Sequence, residues 1–595
     1  MKGKHGINYT EKASDFKGSI KKLMAYNSKY MIFVIISLIL SAVSSVFSII
    51  GPDKLKEITN IIVEGMASTI DLDKVTKIGI FLVTIYVISM IFNYIQSVIM
   101  ATLTNKFSMK MRHEISTKIN RLPLSYFDNT TIGDIISRVI NDVDTICQTM
   151  NQSLATMVSA LTMFFGSIFM MFYTNYILAI AAILSTALGF VLMGIIMSRS
   201  QKYFNNVQNK LGDINGHIEE IFSGQSIVKV YNAGDECLKE FDSINDELFE
   251  NTIKSQFYSG LMHPLMHFIG NFGYVAICIL GAVLVSKNVI SFGVIVAFMI
   301  YVRLFTNPLM QFAQGLTQMQ STAAASERVF KFLEEKEMNE EVGDNYVTLD
   351  RDKVKGNLEF EHVKFGYNED KIIIKDFSAK IKAGSKVAIV GPTGAGKTTI
   401  VNLLMKFYDI NSGDIKIDGE SIKNITRENV HDLFTMVLQD TWLFNGTIKE
   451  NIRYNKEDIT DEQIIDACTV VGLEHYINTL PHGYDTVIGD DLGLSAGQKQ
   501  LLTIARSMVV NTPFLIFDEA TSAVDTRTEK LVSDAMDKLI SGRTSFIIAH
   551  RLSTIKNADL ILVMKDGNIV EQGNHDELLS KNGFYAELYN SQFQN

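Results

Sequence analysis

Long stretches without a charge alternate with short polar segments through the first half of the chain. Met31–Gly51 carries no Asp, Glu, Lys or Arg, nor does Ile78–Asn105, nor Thr145–Ser198. Ser255–Ser286 is equally free of them, and so is Asn288–Arg303 up to its final residue; Leu304–Ser326 continues without charge. A bilayer core of about 30 Å is crossed by ~20 apolar helical residues. Thr174-Asn175 interrupts the longest run near its middle and predicts a very short turn there. Six spans follow, at about 31–51, 78–104, 153–173, 176–197, 258–285 and 289–312. Uncharged runs of this length are not the mark of a buried soluble core.

The polar segments between the spans set the orientation. Residues 1–30 hold seven Lys, and segments 101–153 and 198–257 hold six Lys or Arg each. No cation lies near Thr174-Asn175, and only Lys287 near Ser286–Ile290. Basic segments stay cytoplasmic, which places both termini inside. The first outer loop, 52–77, has four Lys, but Asp53, Glu57, Glu64, Asp71 and Asp73 accompany them. No A-x-A pattern follows the first apolar run, so an uncleaved first helix is expected. The two inner segments are long enough for helical hairpins reaching ~40 Å from the membrane. Their tips are expected near Asp142–Gln148 and around Tyr231–Phe241.

Composition splits the 595 residues in the same place. Residues 1–330 carry 26 basic and 23 acidic residues, whereas 331–595 carry 29 and 42. The domains expected are a transmembrane domain, 1–330, a linker, 331–356, and an acidic soluble domain, 357–595. That acidity excludes nucleic acid as the main partner, because phosphate backbones need a basic footprint. Cys147, Cys237, Cys278 and Cys468 are too scattered for a zinc or iron–sulfur motif and are expected to be inert thiols.

The candidate chemistry sits in the second half. Lys386–Val390 is a short apolar strand. Gly391-Pro392-Thr393-Gly394-Ala395-Gly396-Lys397-Thr398 follows at once and leads into the helical run Ile400–Phe407. This is G-x-x-x-x-G-K-[ST] in its strand–loop–helix setting. Its glycines let backbone N–H groups wrap phosphates, Lys397 puts a cation on them, and Thr398 offers a hydroxyl to Mg²⁺. Phe514–Phe517 is a second apolar strand, ending in Asp518-Glu519. A carboxylate at the C-terminal end of a parallel strand faces the nucleotide crevice. Asp518 is therefore expected on Mg²⁺ and Glu519 beside the attacking water.

Leu494-Ser495-Ala496-Gly497-Gln498 lies between them and opens the helical run Lys499–Val510. With this segment, residues 357–590 resemble the nucleotide-binding domain of ATP-binding cassette (ABC) transporters. With the six spans, nearly the whole chain resembles an exporter-type half-transporter. The implied fold is a six-span α-helical domain followed by an α/β P-loop ATPase domain, assembled as a domain-swapped dimer in the plasma membrane. The implied cofactors are ATP and Mg²⁺. In this reading Gly391–Thr398 and Thr399 hold the triphosphate, and Tyr367 stacks on adenine. Gln439 contacts Mg²⁺ together with Thr398 and Asp518. Ser495, Ala496, Gly497 and Gln498 form the signature that caps the partner's ATP. Asp525 belongs to the D-loop. Glu519, His550 and Lys397 carry catalysis, and Thr486–Gly493 lies where the family's coupling helices meet the cassette.

One position departs from the family pattern. Ala496 stands where the usual signature has Gly, while Glu519 is present. That combination resembles one member of the heterodimeric bacterial exporters with unequal ATP sites; a homodimer with two tolerant sites is the alternative. The expected function is ATP-driven export of amphipathic or hydrophobic compounds. A lipid flippase, a chelated-metal importer and an ATP-gated regulatory protein use the same machinery. In the spans, His263 and His267 are four residues apart, suiting a metal or proton role, a cavity wall or an inter-helix bond. Arg303 either faces a water-filled cavity or snorkels. The chain's 26 Met, several of them in the spans, suit either an adaptable apolar pocket or lipid-facing packing.

Overall fold

The computed structural model describes residues 15–66, 69–341, 343, 346–368, 371–438, 441–489, 493–518, 526–548 and 555–593. Two compact units emerge. One runs to Asn120 and resumes at Ile132–Lys336; the other joins Arg121–Thr131 to the chain from Glu337 onward.

The first unit is helical. A short helix α1 (Phe16–Tyr26) precedes α2 (Met31–Gly65) and α3 (Leu72–Arg121). The helical run α5 (Ile132–Thr174), α6 (Tyr176–Ser223), α8 (Gly234–Ser286) and α9 (Phe292–Glu334) complete it, with α4 (Leu124–Asp128) and α7 (Gln225–Val230) at the inner turns. Six of the described helices are long and apolar enough to cross a membrane. The uncharged windows mark only part of each helix, because amphipathic stretches continue the same hydrogen-bond ladder into water. Asn175 makes the short outer turn. Its backbone is extended, and its side chain caps α6 by accepting from the N–H groups of Ile177 and Leu178 at 3.1 and 3.0 Å.

Polar contacts stitch the bundle where apolar packing alone gains little over lipid. Ser44 meets Ser89 at 2.7 Å, Asn93 donates to Ser44 at 2.7 Å, and Ser45 meets Ser159 at 2.7 Å. Nearer the cytoplasmic end, Arg328 of α9 grips buried Asp142, and Lys118 donates to the carbonyl of Glu335. Gly315 lets α9 approach α5, since a Cβ there would come 2.4 Å from Met157 Cγ.

Both inner tips differ from the sequence expectation. The first hairpin turns at α4 (Leu124–Asp128), entered through Pro123, rather than at Asp142–Gln148, which lies inside α5. Proline ends a helix at the residue before it, and this local signal outweighs the weak apolar spacing further on. The second tip is α7 (Gln225–Val230), flanked by Gly224 and by Asn232 with φ 53°, so that Tyr231–Phe241 is mostly the start of α8.

The second unit is built on a ten-stranded mixed sheet. In chain order its strands are β1 (Leu358–Phe365), β2 (Ile374–Ile381), β3 (Lys386–Val390), β4 (Ser412–Ile417), β5 (Glu420–Ser421), β6 (Phe434–Val437), β9 (Phe514–Asp518), β10 (Thr544–Ile548), β11 (Leu560–Lys565) and β12 (Asn568–Gly573). They lie in the order β5-β4-β1-β2-β12-β11-β3-β10-β9-β6, while β7 (Gly446–Thr447) pairs with β8 (Val487–Ile488) separately. Strands β11, β3, β10, β9 and β6 run parallel. They are almost fully buried, as continuous apolar strands in a parallel sheet must be. Apolar clusters cover both faces.

The chain after α9 docks on this sheet domain. Glu341, largely buried, lies 2.9 Å from Lys406 and 2.8 Å from Arg427, whose guanidinium also takes Asp409 at 2.9 Å. Leu349 and Asn429 exchange hydrogen bonds of 2.8 and 2.9 Å. The first inner tip belongs to the same unit. The Met338 N–H donates to the carbonyl of Arg121 at 3.0 Å, and Tyr408 donates its hydroxyl proton to Asp128 of α4.

Candidate functional site

The phosphate loop leaves the C-terminal end of β3, between β11 and β10 in the parallel part of the sheet, and enters α10 (Lys397–Leu404). Gly394 and Gly396 have φ of 82° and 100°, a region that only glycine enters without strain. Gly391 passes so near β11 that a Cβ would come 2.4 Å from the carbonyl oxygen of Met564. No side chain caps α10. A glycine N-cap leaves room at the helix end for an anion. Lys397 is 8% exposed, and its ammonium donates to the carbonyls of Gly391 at 2.8 Å and Pro392 at 3.2 Å, inside the loop. Thr398 is exposed beside it and Thr399 is buried. Glycine backbone, helix end, cation and hydroxyl together fit a nucleotide triphosphate with its Mg²⁺.

Register brings Asp518 to the same edge. Ile548 of β10 pairs with both Ile389 of β3 and Asp518 of β9. The carboxylate thus ends its strand one strand beyond the neighbour of the phosphate loop. Glu519 and Asp525 follow β9 in sequence and His550 follows β10; these three residues and Gln439 lie outside the described residues.

Tyr367 stands at the other rim, 40% exposed. Its ring meets Phe365 and Tyr408 edge-on, each at 5.0 Å. Its hydroxyl lies 3.4 Å from Thr399 Oγ1 and accepts from Asn402 at 3.3 Å, which sets the ring beside α10. Burial and the Asp128 carboxylate raise the Tyr408 phenol well above its ordinary value, so it donates to Asp128 throughout the physiological range.

The signature segment is separate from the loop and opens α15 (Ala496–Met508), the helix after α11 (Arg427–Leu433), α12 (Ile448–Arg453), α13 (Asp461–Val470) and α14 (Glu474–Thr479). Ser495 is its N-cap. Ser495 Oγ accepts from the Gln498 N–H at 3.2 Å, and Gln498 Oε1 accepts from the Ser495 N–H at 2.9 Å. This capping box uses the Gln498 side chain internally. It leaves the hydroxyl proton of Ser495 and the N–H groups of Ala496 and Gly497 for an external acceptor. Ala496 and Ser495 are exposed, whereas Gly497 is buried.

Two residues outside the recognisable motifs hold this helix. Arg506, ten residues into α15, donates to the Asn451 carbonyl at 2.7 Å and the Trp442 carbonyl at 3.2 Å. Asn451, 1% exposed, accepts from the Phe444 N–H at 3.0 Å and donates back to the Phe444 carbonyl at 2.9 Å. The segment just after Gln439 is thereby pinned to the signature helix. Burial lowers the Arg506 guanidinium from its ordinary value, yet it stays charged near neutrality. A basic residue on a buried helix face is the signal that would have found it; Asn451 carries none. Among the described residues no three His, Cys, Asp or Glu cluster as a metal site. The side chains of His263 and His267 are outside the description.

Comparison with known proteins agrees with this geometry. Residues 34–309 match the ABC transporter transmembrane region and residues 374–522 the ABC transporter domain. A fatty acid ABC transporter ATP-binding/permease protein of Mycobacterium bovis is 42% identical over 505 residues, 85% of this chain and 79% of the relative. The ABC transporter ATP-binding protein YfiC of Bacillus subtilis is 37% identical over 593 residues, 99% of this chain and 97% of its own. An ATP-dependent lipid A-core flippase of Desulfotalea psychrophila is 35% identical over 518 residues, covering 86% and 89%. Six membrane-length helices, a parallel-sheet phosphate site and near end-to-end likeness lead to one conclusion: the chain belongs to the ABC transporter family, as an exporter-type half-transporter that hydrolyses ATP on a cytoplasmic domain.

Proposed function

We propose that the chain is one half of a heterodimeric exporter for amphipathic or hydrophobic compounds, driven by ATP bound between two nucleotide domains. The observation that carries this reading is the phosphate cradle beside Asp518 in a chain that also carries six membrane-length helices. Gly391–Thr399 would hold the triphosphate of one ATP, and Tyr367 its adenine. The partner's signature would close over its γ-phosphate, while Ser495, Ala496 and Gly497 of this chain would do the same for the partner's ATP. Asp518, Thr398 and Gln439 would hold Mg²⁺, which neutralises charge on the phosphate oxygens. Glu519 would accept a proton from the attacking water, with His550 on the γ-phosphate and Asp525 at the dimer seam. Loss of the bridging phosphoryl group leaves two anionic products, and the clamp opens.

The heterodimer rests on Ala496. It is an exposed first-turn helix position where alanine favours the helix, so the methyl group serves no visible packing purpose. It sits where the closest approach to a phosphate is expected, and a Cβ there loosens that approach. The partner's ATP would then be held at a slower site. Relatives named for fatty acids and lipid A core support an amphiphile as cargo. Reconstitution in liposomes with the Glu519→Gln variant tests the engine: ATPase and transport should fall together. Undiminished transport without hydrolysis would refute it. Co-purification of a different chain of similar size tests the heterodimer; recovery of this chain alone as an active dimer would refute that part.

A further inference from the structure

We propose that α1 carries a docking site for an anionic phospholipid of the inner leaflet, with Lys17 and Lys21 on the phosphate and the stripe Phe16, Ile20 and Met24 on the acyl chains. The level of α1 is set by its contacts. The ring of Tyr26, its last residue, meets Phe107 of α3 at 5.5 Å and Phe330 of α9 at 5.8 Å. Phe107 stands two residues past the end of the uncharged run 78–105, and Phe330 four past the end of 304–326. Met31, where the first uncharged run begins, is five residues beyond Tyr26. All three segments thus pass from hydrocarbon to water near the height of Tyr26, on the side that the basic segments make cytoplasmic. The helix is held there by its own contacts. The Tyr26 hydroxyl donates to Glu114 at 2.8 Å, Ser19 and Leu23 are buried, and Lys22 pairs with Glu334 at 2.6 Å.

Two further faces of the helix are open. Phe16 and Met24, 38% and 55% exposed, form one apolar stripe with half-buried Ile20 between them at four-residue spacing. By helical rotation Lys17 and Lys21 border this stripe on the side away from the docked face. Both are exposed, and neither pairs with an acid among the described residues. The helix has no Asp or Glu of its own, and Asp15 before it serves as its cap, accepting from the Gly18 N–H at 2.9 Å. An apolar stripe edged by lysines at a membrane surface is the pattern of a helix that lies in the interface. Charge and level together name what covers it. The cytoplasmic leaflet brings acyl chains to Phe16 and Met24 and negative phosphates to Lys17 and Lys21. A zwitterionic lipid would leave the two ammonium groups uncompensated, and an acidic peptide would leave the apolar stripe in water.

The test is binding of acyl-labelled phosphatidylglycerol and phosphatidylcholine to the purified, assembled transporter in detergent, read as anisotropy of the lipid label. The wild type should hold phosphatidylglycerol the more tightly. Lys17→Gln combined with Lys21→Gln should weaken phosphatidylglycerol about tenfold or more and leave phosphatidylcholine within about twofold. Lys17→Arg combined with Lys21→Arg should keep the wild-type affinity, since the charge is what the headgroup meets. Soluble glycerol phosphate should not displace the lipid, because it brings no chain to the stripe; displacement would mean a phosphate site without a membrane and would overturn the lipid assignment. Equal binding of the two lipids, a glutamine variant matching the wild type, or an arginine variant as weak as the glutamine one would overturn the site. A melting midpoint that still rises with ATP in the glutamine variant separates loss of the site from loss of folding. Absent ATPase activity in the wild type would count against the exporter itself and not this site.

Discussion

Lys397 shows how little of the proposed triphosphate site depends on distant contacts. Its backbone, glycines and cation come from eight consecutive residues, which is why the loop's shape, though not its ligand, is legible in the sequence. Lys397→Ala should weaken ATP binding by about tenfold to a hundredfold, the worth of charged hydrogen bonds, as read by nucleotide titration. Ser495 is different, because it both caps α15 and is proposed to reach the partner's ATP. Ser495→Ala should cost about 1 kcal/mol of stability through the lost cap. Ala496→Gly changes neither cap partner; if the methyl loosens the second site, it should raise the ATPase rate of the assembled transporter, and an unchanged rate would argue that the alanine is neutral. Cysteine chemistry was legible only as the absence of motifs. Burial pushes the Cys468 thiol up to about 12, so it should resist maleimide in the folded protein at pH 8 and react on unfolding.

Elements were legible where their signal is local. Uncharged runs gave the spans, and apolar runs ending in glycine or carboxylate gave β3 and β9. The inner tips were misplaced because hairpin ends depend on Pro123 and Gly224, while the apolar spacing that pointed elsewhere belongs to the flanking helices. The Arg506–Asn451 tie was invisible for a related reason: it joins residues 55 apart through backbone carbonyls. Turn geometry also sets a pH response. Burial alone would raise the Asp418 carboxyl, but the N–H groups of Asn357, Lys355 and Gly356 outweigh it and hold the group below its usual 3.8. A folded value below the unfolded one stabilises at neutral pH and is lost as pH falls through the folded value. Asp418→Asn should therefore lower the melting midpoint at pH 7 and narrow its difference from wild type below pH ~4.

At the scale of the whole chain, the first inner tip parts company with the helices that flank it in sequence. Arg121–Thr131 lies in sequence between two spanning helices yet packs in the nucleotide unit, where Asp128 holds Tyr408 and Tyr408 meets Tyr367. Tyr408→Phe keeps the ring and deletes the bond to Asp128. It should reduce stimulation of the ATPase by transported compound several-fold while ATP affinity stays within about twofold. The Asp128–Tyr408 bond itself was not legible in the sequence, since it depends on which body a short loop joins.

The most direct test is the distance between the two nucleotide domains of the assembled transporter, read by paired spin labels in the Glu519→Gln background. ATP should draw them into one short, narrow distance, and Lys397→Ala should abolish that population. A distribution unmoved by ATP would contradict the clamp on which the account stands.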